Sequence, residues 1–370
     1  IAGASVAARL AAHRSVVLVE REEHPGWHAT SRSVAIFTHA LPGVQIAPLT
    51  RASQAFFTAP PDGFADAPLT RARPVLQFAQ AGEADQLLRL HDTLRDGGGA
   101  ARWIDGEAAR AMVPILRPEF AAAAVLDEDA FEMNVDGLLQ GWLRRLRGAG
   151  GTVLTASPLR AAARVGDAWR LRVGETEIAA RVLVNAAGAW GDEVAHLAGV
   201  PGLGLSPRRR TVAVIAADGC DVDGWPMCVA ADHRLYFKPE AGRLLVSAME
   251  ETPSPACDAY VDDMEVAEAL DRFETVTTLP VRRPLRSWAG LRTFAADGEP
   301  VAGYDPDAPQ FFWLAGQGGA GVQTAPALSE AAAALVLDEP LPSRLTDHGV
   351  SEALLSPGRL RRPPTIDKRD

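Results

Sequence analysis

The sequence predicts an α/β architecture, α+β over the whole chain, in which α/β segments at the beginning, middle and end alternate with a strand-rich segment inserted twice. Three observations predict it. Small-residue junctions between strand and helix occur in separated stretches, at "IAGASVAARL", "VLVNAAGAWGDEV" and "FFWLAGQGGAGVQTAPALSE". Between them "PVLQFAQ", "AAVLDEDAFEMN", "RTVAVIA" and "RLYFKPEAGRLLVSA" read as strands bounded by turn residues. The chain is 370 residues long, 47% hydrophobic and 23% charged, an ordinary globular balance with length for two or three cores.

In the opening stretch Val6, Leu10 and Ala11 make one helical stripe, and "SVVLVE" is a strand-length apolar run ending at Glu20. Gly3 fits the third glycine of G-x-G-x-x-G, and Glu20 then falls where a carboxylate meets a ribose hydroxyl, about 20 residues after the first glycine. On that reading a strand and two glycines precede Ile1 in the natural protein. The same residues also fit an ordinary amphipathic helix and strand. "HPGWHATSRSVAIFTHALPG" reads as a polar loop, "VQIAPLTRASQAFF" as a helix, and "TAPPDGFADAP" as the break after it. Helices are expected over 83–94 and 106–112, and "DGLLQGWLRRLRGAG" is a strongly amphipathic helix stopped by glycines. The stretch from "GTVLTAS" to "VLVNAAG" reads as strand, meander and buried strand. Helices follow over 264–273 and 325–337, and the residues after Ser356 read as a frayed tail.

A net charge of -10 and a pI near 5.4 argue against a nucleic-acid partner, which needs a basic face. Cys220, Cys228 and Cys257 are odd in number and lack C-x-x-C spacing, so no disulfide framework or metal site is expected and a reducing cytoplasm fits. No apolar run approaches the roughly 18 residues of an integral membrane segment, and no signal-peptide pattern is present. The chemistry concentrates at the junctions. Ala186, Ala187 and Gly188 let a backbone approach a ligand, and Gly316, Gly318, Gly319 and Gly321 leave bare amides before a helix, suited to an anionic or carbonyl oxygen.

In order and spacing, "IAGAS…VVLVERE", "TSRS", "VLVNAAGAWGDEVAHLAGV", "LYFKPEAG", "WAGLRTFAADGEPVAGY" and "QGGAGVQT" resemble the FAD-dependent D-amino-acid oxidase family over nearly the whole chain. Within it they look most like the D-arginine dehydrogenases. The resemblance implies a Rossmann-like FAD-binding domain of discontinuous segments, 1–67, 126–206 and 295–356, plus a β-rich substrate domain, 68–125 and 207–294, with 357–370 as tail. It places Gly3 against the pyrophosphate, Glu20 and Arg21 at the adenosine ribose, and Ser31, Arg32 and Ser33 around the pyrophosphate and flavin side. Ala187, Gly188 and Trp190 would line the cofactor. Gly318, Gly321, Val322, Gln323 and Thr324 would set amides beside the flavin's pyrimidine carbonyl. Arg292 would grip a substrate carboxylate through a bidentate pair that lysine cannot make. Arg210 and Tyr236 would complete that anion site, and the Gly319 carbonyl would face the substrate amine. The implied reaction is oxidative deamination of a D-amino acid by hydride transfer to FAD, with electrons passing on to an acceptor that the sequence does not specify.

The resemblance breaks around the substrate's far end. Ile36 stands where a histidine is expected, Leu41 and Ala320 where tyrosines are, and Val75 where an acid would meet a guanidinium; Met227 joins them in the expected pocket. A buried cation without its carboxylate is costly, so apolar D-amino acids are expected over cationic ones. His39 stands near enough along the chain to replace the missing histidine. Simple packing at these positions, an N-methyl amino acid or 2-hydroxy acid substrate, and a non-catalytic flavin-fold binding protein are the alternatives.

Overall fold

A computed structural model describes residues 1–361. Its largest feature is a ten-stranded sheet ordered Gln317–Gly318, Arg286–Phe294, Ser206–Ile215, Arg243–Ser247, Tyr236–Glu240, Met227–Ala230, Val75–Ala79, Ala123–Asp127, Ala101–Asp105, with Thr252–Pro253 added beside Ser206–Ile215. The two strand-rich insertions meet in this sheet where Met227–Ala230 runs parallel to Val75–Ala79; its other pairings are antiparallel. One face packs Leu76, Phe78, Ile215, Cys228, Phe237, Leu244 and Val246 against Ala269, Phe273 and Val276 of helix Asp263–Val276. The side chain of Asp262 caps that helix by accepting from the Met264 amide.

The α/β body carries two parallel strand pairs, Val17–Val19 with Thr152–Leu154 and Leu183–Asn185 with Phe311–Ala315. Helix Ala2–Leu10 packs among them and against helices Val135–Gly148 and Gly321–Val336. A Cβ on Gly3 would stand 3.4 Å from both Ala186 Cβ and Leu18 Cδ1, an ordinary contact distance, so the first helix lies beside both residues with room for a methyl. Gly141 is needed more strictly in Val135–Gly148, where a Cβ would come within 2.5 Å of the Phe64 ring.

Three sequence expectations are corrected. The last long helix is Gly321–Val336, starting four residues earlier than 325–337, so Gly321, Val322, Gln323 and Thr324 form its first turn and Pro326 lies inside it. The segment boundary after residue 125 cuts through strand Ala123–Asp127, and the one after 206 cuts off the first residue of Ser206–Ile215. Finally, 357–361 are not frayed: Arg359 reaches Asp297 and the Glu299 carbonyl, and Arg361 reaches Asp305 and the carbonyls of Pro201 and Gly202. The remainder of the expected tail, 362–370, lies outside the described residues.

The hairpin joining Tyr236–Glu240 to Arg243–Ser247 turns on Ala241 and Gly242, at φ of 51° and 72°. Both signs match the tight turn whose twist suits a hairpin, and alanine fits the first position poorly. Ala241→Gly is expected to raise stability by about 0.5 kcal/mol, measurable as a higher denaturation midpoint with an unchanged slope.

Candidate active site

Cross-strand partners project from the same face of a sheet, so register decides which side chains meet. Arg208 pairs with Arg292 and Arg210 with Gly290; Val214, four residues beyond Arg210, pairs with Leu245. Leu245 and Ser247 pair with Lys238 and Tyr236, Tyr236 with Val229, Met227 with Val75, and Val75 with Asp127. Arg292, Arg210, Tyr236, Met227 and Val75 therefore share the face opposite the large core. Val75, Met227 and Tyr236 pack there with Val212, Val229 and Leu245, flanked by Ile36, Met249 and Trp288. Leu41 stands partly buried in the loop before helix Ile46–Thr58, outside this cluster, and Ala320 is buried as the residue capping helix Gly321–Val336.

At one end of this face buried donors are left unspent. Arg210 is 7% exposed; its Nε donates to the Glu250 carbonyl at 2.6 Å, its Nη2 to Glu251 at 3.4 Å, and its Nη1 is buried without a partner. Burial, and next the positive charge of Arg292, push the Arg210 guanidinium down to about 10, with Tyr236, Glu250 and Glu251 opposing. It is still protonated at neutral pH. The Tyr236 hydroxyl is also buried without a partner. The Arg292 guanidinium lies against Gly319, where a Cβ would stand 3.2 Å from Cζ and Nη1. Two guanidiniums, a free N–H and a free phenol at the edge of an apolar wall are donors of the kind a small carboxylate satisfies, since buried polar groups and charges need partners.

The glycine segment stands beside this receptor. Gly318, at φ 53°, pairs with Thr293 on strand Arg286–Phe294. The helix following has no side-chain cap, and its first internal bond runs from the Thr324 amide to the Ala320 carbonyl, so the Gly321, Val322 and Gln323 amides have no intrahelical acceptor. The side chains of this turn look elsewhere. Gln323 donates to the Thr38 carbonyl and the Thr50 hydroxyl, Thr324 donates to the Ala320 carbonyl, and Val322 joins the core around helix Ala2–Leu10.

Of the other residues implied by resemblance, Glu20 accepts from the Glu22 amide at 3.0 Å. Arg21 lies 4.7 Å from the Trp190 ring centre, with His28 on the same ring at 4.5 Å. Ala187 donates its amide to Asn185, and Gly188, at φ 57°, has nothing within 4 Å of where a Cβ would be. Ser31 donates to the Trp27 carbonyl, and Ser33 accepts from the Ala35 amide. The Arg32 guanidinium points to the β-rich domain, donating to the carbonyls of Ala259 and Ala289 at 3.0 Å and pairing with Asp258; Trp288 Nε1 returns a bond to the Arg32 carbonyl. It clasps two domains, so any cofactor contact of this loop falls to its backbone and serines. His39 packs its ring on Phe37 and against Gly97 and Gly99, one residue out of phase with Thr38.

Asp127 was missed in the sequence, where it reads as a turn acid after an apolar strand. It is 1% exposed, accepts from the Thr38 hydroxyl at 2.6 Å through Oδ2, and has no partner at Oδ1. Burial pushes its carboxyl up to about 6; the Asp129 charge adds to this, while the Thr38 bond and the Asp129 and His39 amides oppose it. A folded-state value above the unfolded one, near 4, means that this group's contribution is full below about pH 4 and is lost as pH rises through about 6. Asp127→Asn is thus expected to stabilise the fold at about pH 8 by up to about 3 kcal/mol, with the gain vanishing at about pH 4. Urea unfolding at both pH values checks it.

Comparison with known proteins supplies the family: residues 1–335 match the DAO model, FAD dependent oxidoreductase. The chain belongs to the DAO family of FAD-dependent oxidoreductases. Among curated relatives it is 30% identical over 278 residues to the tRNA 5-methylaminomethyl-2-thiouridine biosynthesis bifunctional protein MnmC of Caulobacter sp. (strain K31), covering 69% of this chain and 44% of that protein. It is 32% identical over 180 residues to FAD-dependent oxidoreductase domain-containing protein 1 of Bos taurus, covering 42% and 36%. The chain spans less than half the length of either. The fold of this DAO protein is that of glycine oxidase from Geobacillus kaustophilus, with TM-score 0.81 at 22% identity over 95% of this chain and 96% of that one. L-proline dehydrogenase from P. horikoshii gives TM-score 0.81 at 18% identity over 98% and 95%. The donor set fits the cofactor of the family: unspent amides at a helix N-terminus suit a flavin carbonyl, and the clear approach over Gly188 suits close passage of a dinucleotide. Among the described residues no helix is long and apolar enough to cross a membrane.

Proposed function

We propose that this enzyme oxidises amino acids, the D enantiomers, at the carbon bearing the amine, giving an imine that water hydrolyses to the oxo acid and ammonia. The unpartnered Arg210 Nη1 and Tyr236 hydroxyl beside Arg292 carry this reading. Arg292 and Arg210 hold the carboxylate, Tyr236 donates to it, and the apolar wall of Val75, Met227 and Val229 receives the start of the side chain. FAD, when bound, supplies the two-electron acceptor for the hydride leaving the α-carbon. The protein's contribution is orientation and exclusion of water, and the Gly319 carbonyl is the acceptor that the resemblance implies for the amine. The Gly321, Val322 and Gln323 amides, without intrahelical acceptors, would stabilise the negative charge that grows on the ring.

Anaerobic bleaching of the bound flavin by both enantiomers of an amino-acid panel, with sarcosine and 2-hydroxy acids alongside, tests the reading. Fast bleaching by D-amino acids is expected. Bleaching by the hydroxy acids alone would replace it. The amine must shed its proton before hydride leaves, so the limiting bleaching rate is expected to rise with pH to a plateau at the bound amine's pKa; a flat profile would count against it.

A further inference from the structure

The anion receptor holds one end of the substrate, and the same sheet face ends in a second buried polar group. Register carries the face from Tyr236 through Val229 and Met227 to Val75 and then to Asp127. Three strand spacings of about 4.8 Å across the sheet, with the two-residue step from Val229 to Met227 along it, separate the backbones of Tyr236 and Asp127 by roughly 16 Å, a span that the two side chains and a stem of several methylenes can fill. Thr38, which donates to Asp127, is two residues from Ile36 of the pocket cluster and is fixed at its carbonyl by Gln323. The carboxylate is therefore held at Oδ2 by Thr38, yet its Oδ1 has no partner. Asp129 adds negative charge beside it. No lysine or arginine pairs with Asp127 among the described residues.

We propose that Asp127 determines specificity by receiving, at Oδ1, a terminal ammonium on the substrate's side chain, beyond the apolar stretch lined by Val75, Met227 and Ile36. The preferred substrates then have an apolar stem and a cationic tip. The expectation that cations are excluded rested on the loss of an acid at Val75; Asp127, one strand over on the same face, restores a carboxylate to that end of the pocket. A buried carboxylate with one oxygen left unpaired lowers stability, and an ammonium on the ligand would complete it.

This inference rests on the carboxylate-anchored reading of the site, and the test separates the two. The flavin-loaded enzyme is titrated calorimetrically with 6-aminohexanoate, which is lysine without its α-amine and cannot be oxidised there, and with hexanoate. The native protein is expected to bind 6-aminohexanoate at least tenfold more tightly, and in Asp127→Asn that preference should fall to near unity. Equal binding of the two by the native protein, or an undiminished preference in Asp127→Asn, overturns the role of Asp127 alone. Binding of neither ligand overturns the anchored reading and the role of Asp127 with it. The native comparison stands even where the variant fails to retain flavin.

Discussion

Arg292→Ala is expected to lower kcat/KM for the best D-amino acid by roughly 10² to 10⁴-fold, the effect of about 3–5 kcal/mol when one partner of a buried ion pair is removed. Arg210 is already held by the Glu250 carbonyl and by Glu251, and so offers its remaining N–H at one fixed position. Arg292, against Gly319, is the guanidinium with its fork still free to turn to a carboxylate. Arg292→Lys should recover only part of the loss, because an ammonium keeps the charge and loses the planar pair of donors. Steady-state kinetics with rapid-reaction measurement of flavin reduction checks both variants. A fall confined to the oxidative half-reaction would remove Arg292 from substrate binding.

Gly318→Ala should produce the second large effect, loss of flavin retention together with a stability loss of about 2–4 kcal/mol. Its backbone lies at φ 53°, and an added Cβ would come within 2.4 Å of the Phe294 ring, which Arg208 covers on another side at 5.1 Å. Neither strain is relieved without moving strand Arg286–Phe294, the strand that carries Arg292. Flavin content after gel filtration and the thermal midpoint report the two losses separately. Retention of both at native values would show that the junction tolerates rearrangement.

The junctions were legible in the sequence because close backbone approach demands small residues whatever the rest of the fold does. Gly318 stands at such an approach. Arg210, Tyr236 and Arg292 were recognisable from motif and order, and the register now places them on one face. The start of the last long helix was hidden by Pro326, which reads as a first-turn residue because its missing N–H costs nothing there. In the structure the helix runs through it, starting at Gly321. Asp127 was hidden for a different reason. Its neighbours in the chain are turn acids, and its tie to Val75 is a cross-strand pairing that local pattern cannot show. Arg32 presented the opposite difficulty: the motif fixes its place in the loop, while the direction of its guanidinium follows from Asp258 and Ala259, more than 200 residues away in the chain.

The shared sheet face separates two tasks along one direction. In the proposed site, strands Ser206–Ile215 and Arg286–Phe294 would grip what every substrate has in common, while Val75–Ala79, Met227–Ala230 and Ala123–Asp127, farther across, would meet what distinguishes one substrate from another. A lineage carrying this sheet can exchange its diet by point changes at Val75, Met227 or Asp127 and leave the grip untouched. Descendants that share the reaction and differ in what they consume are the natural outcome of that layout.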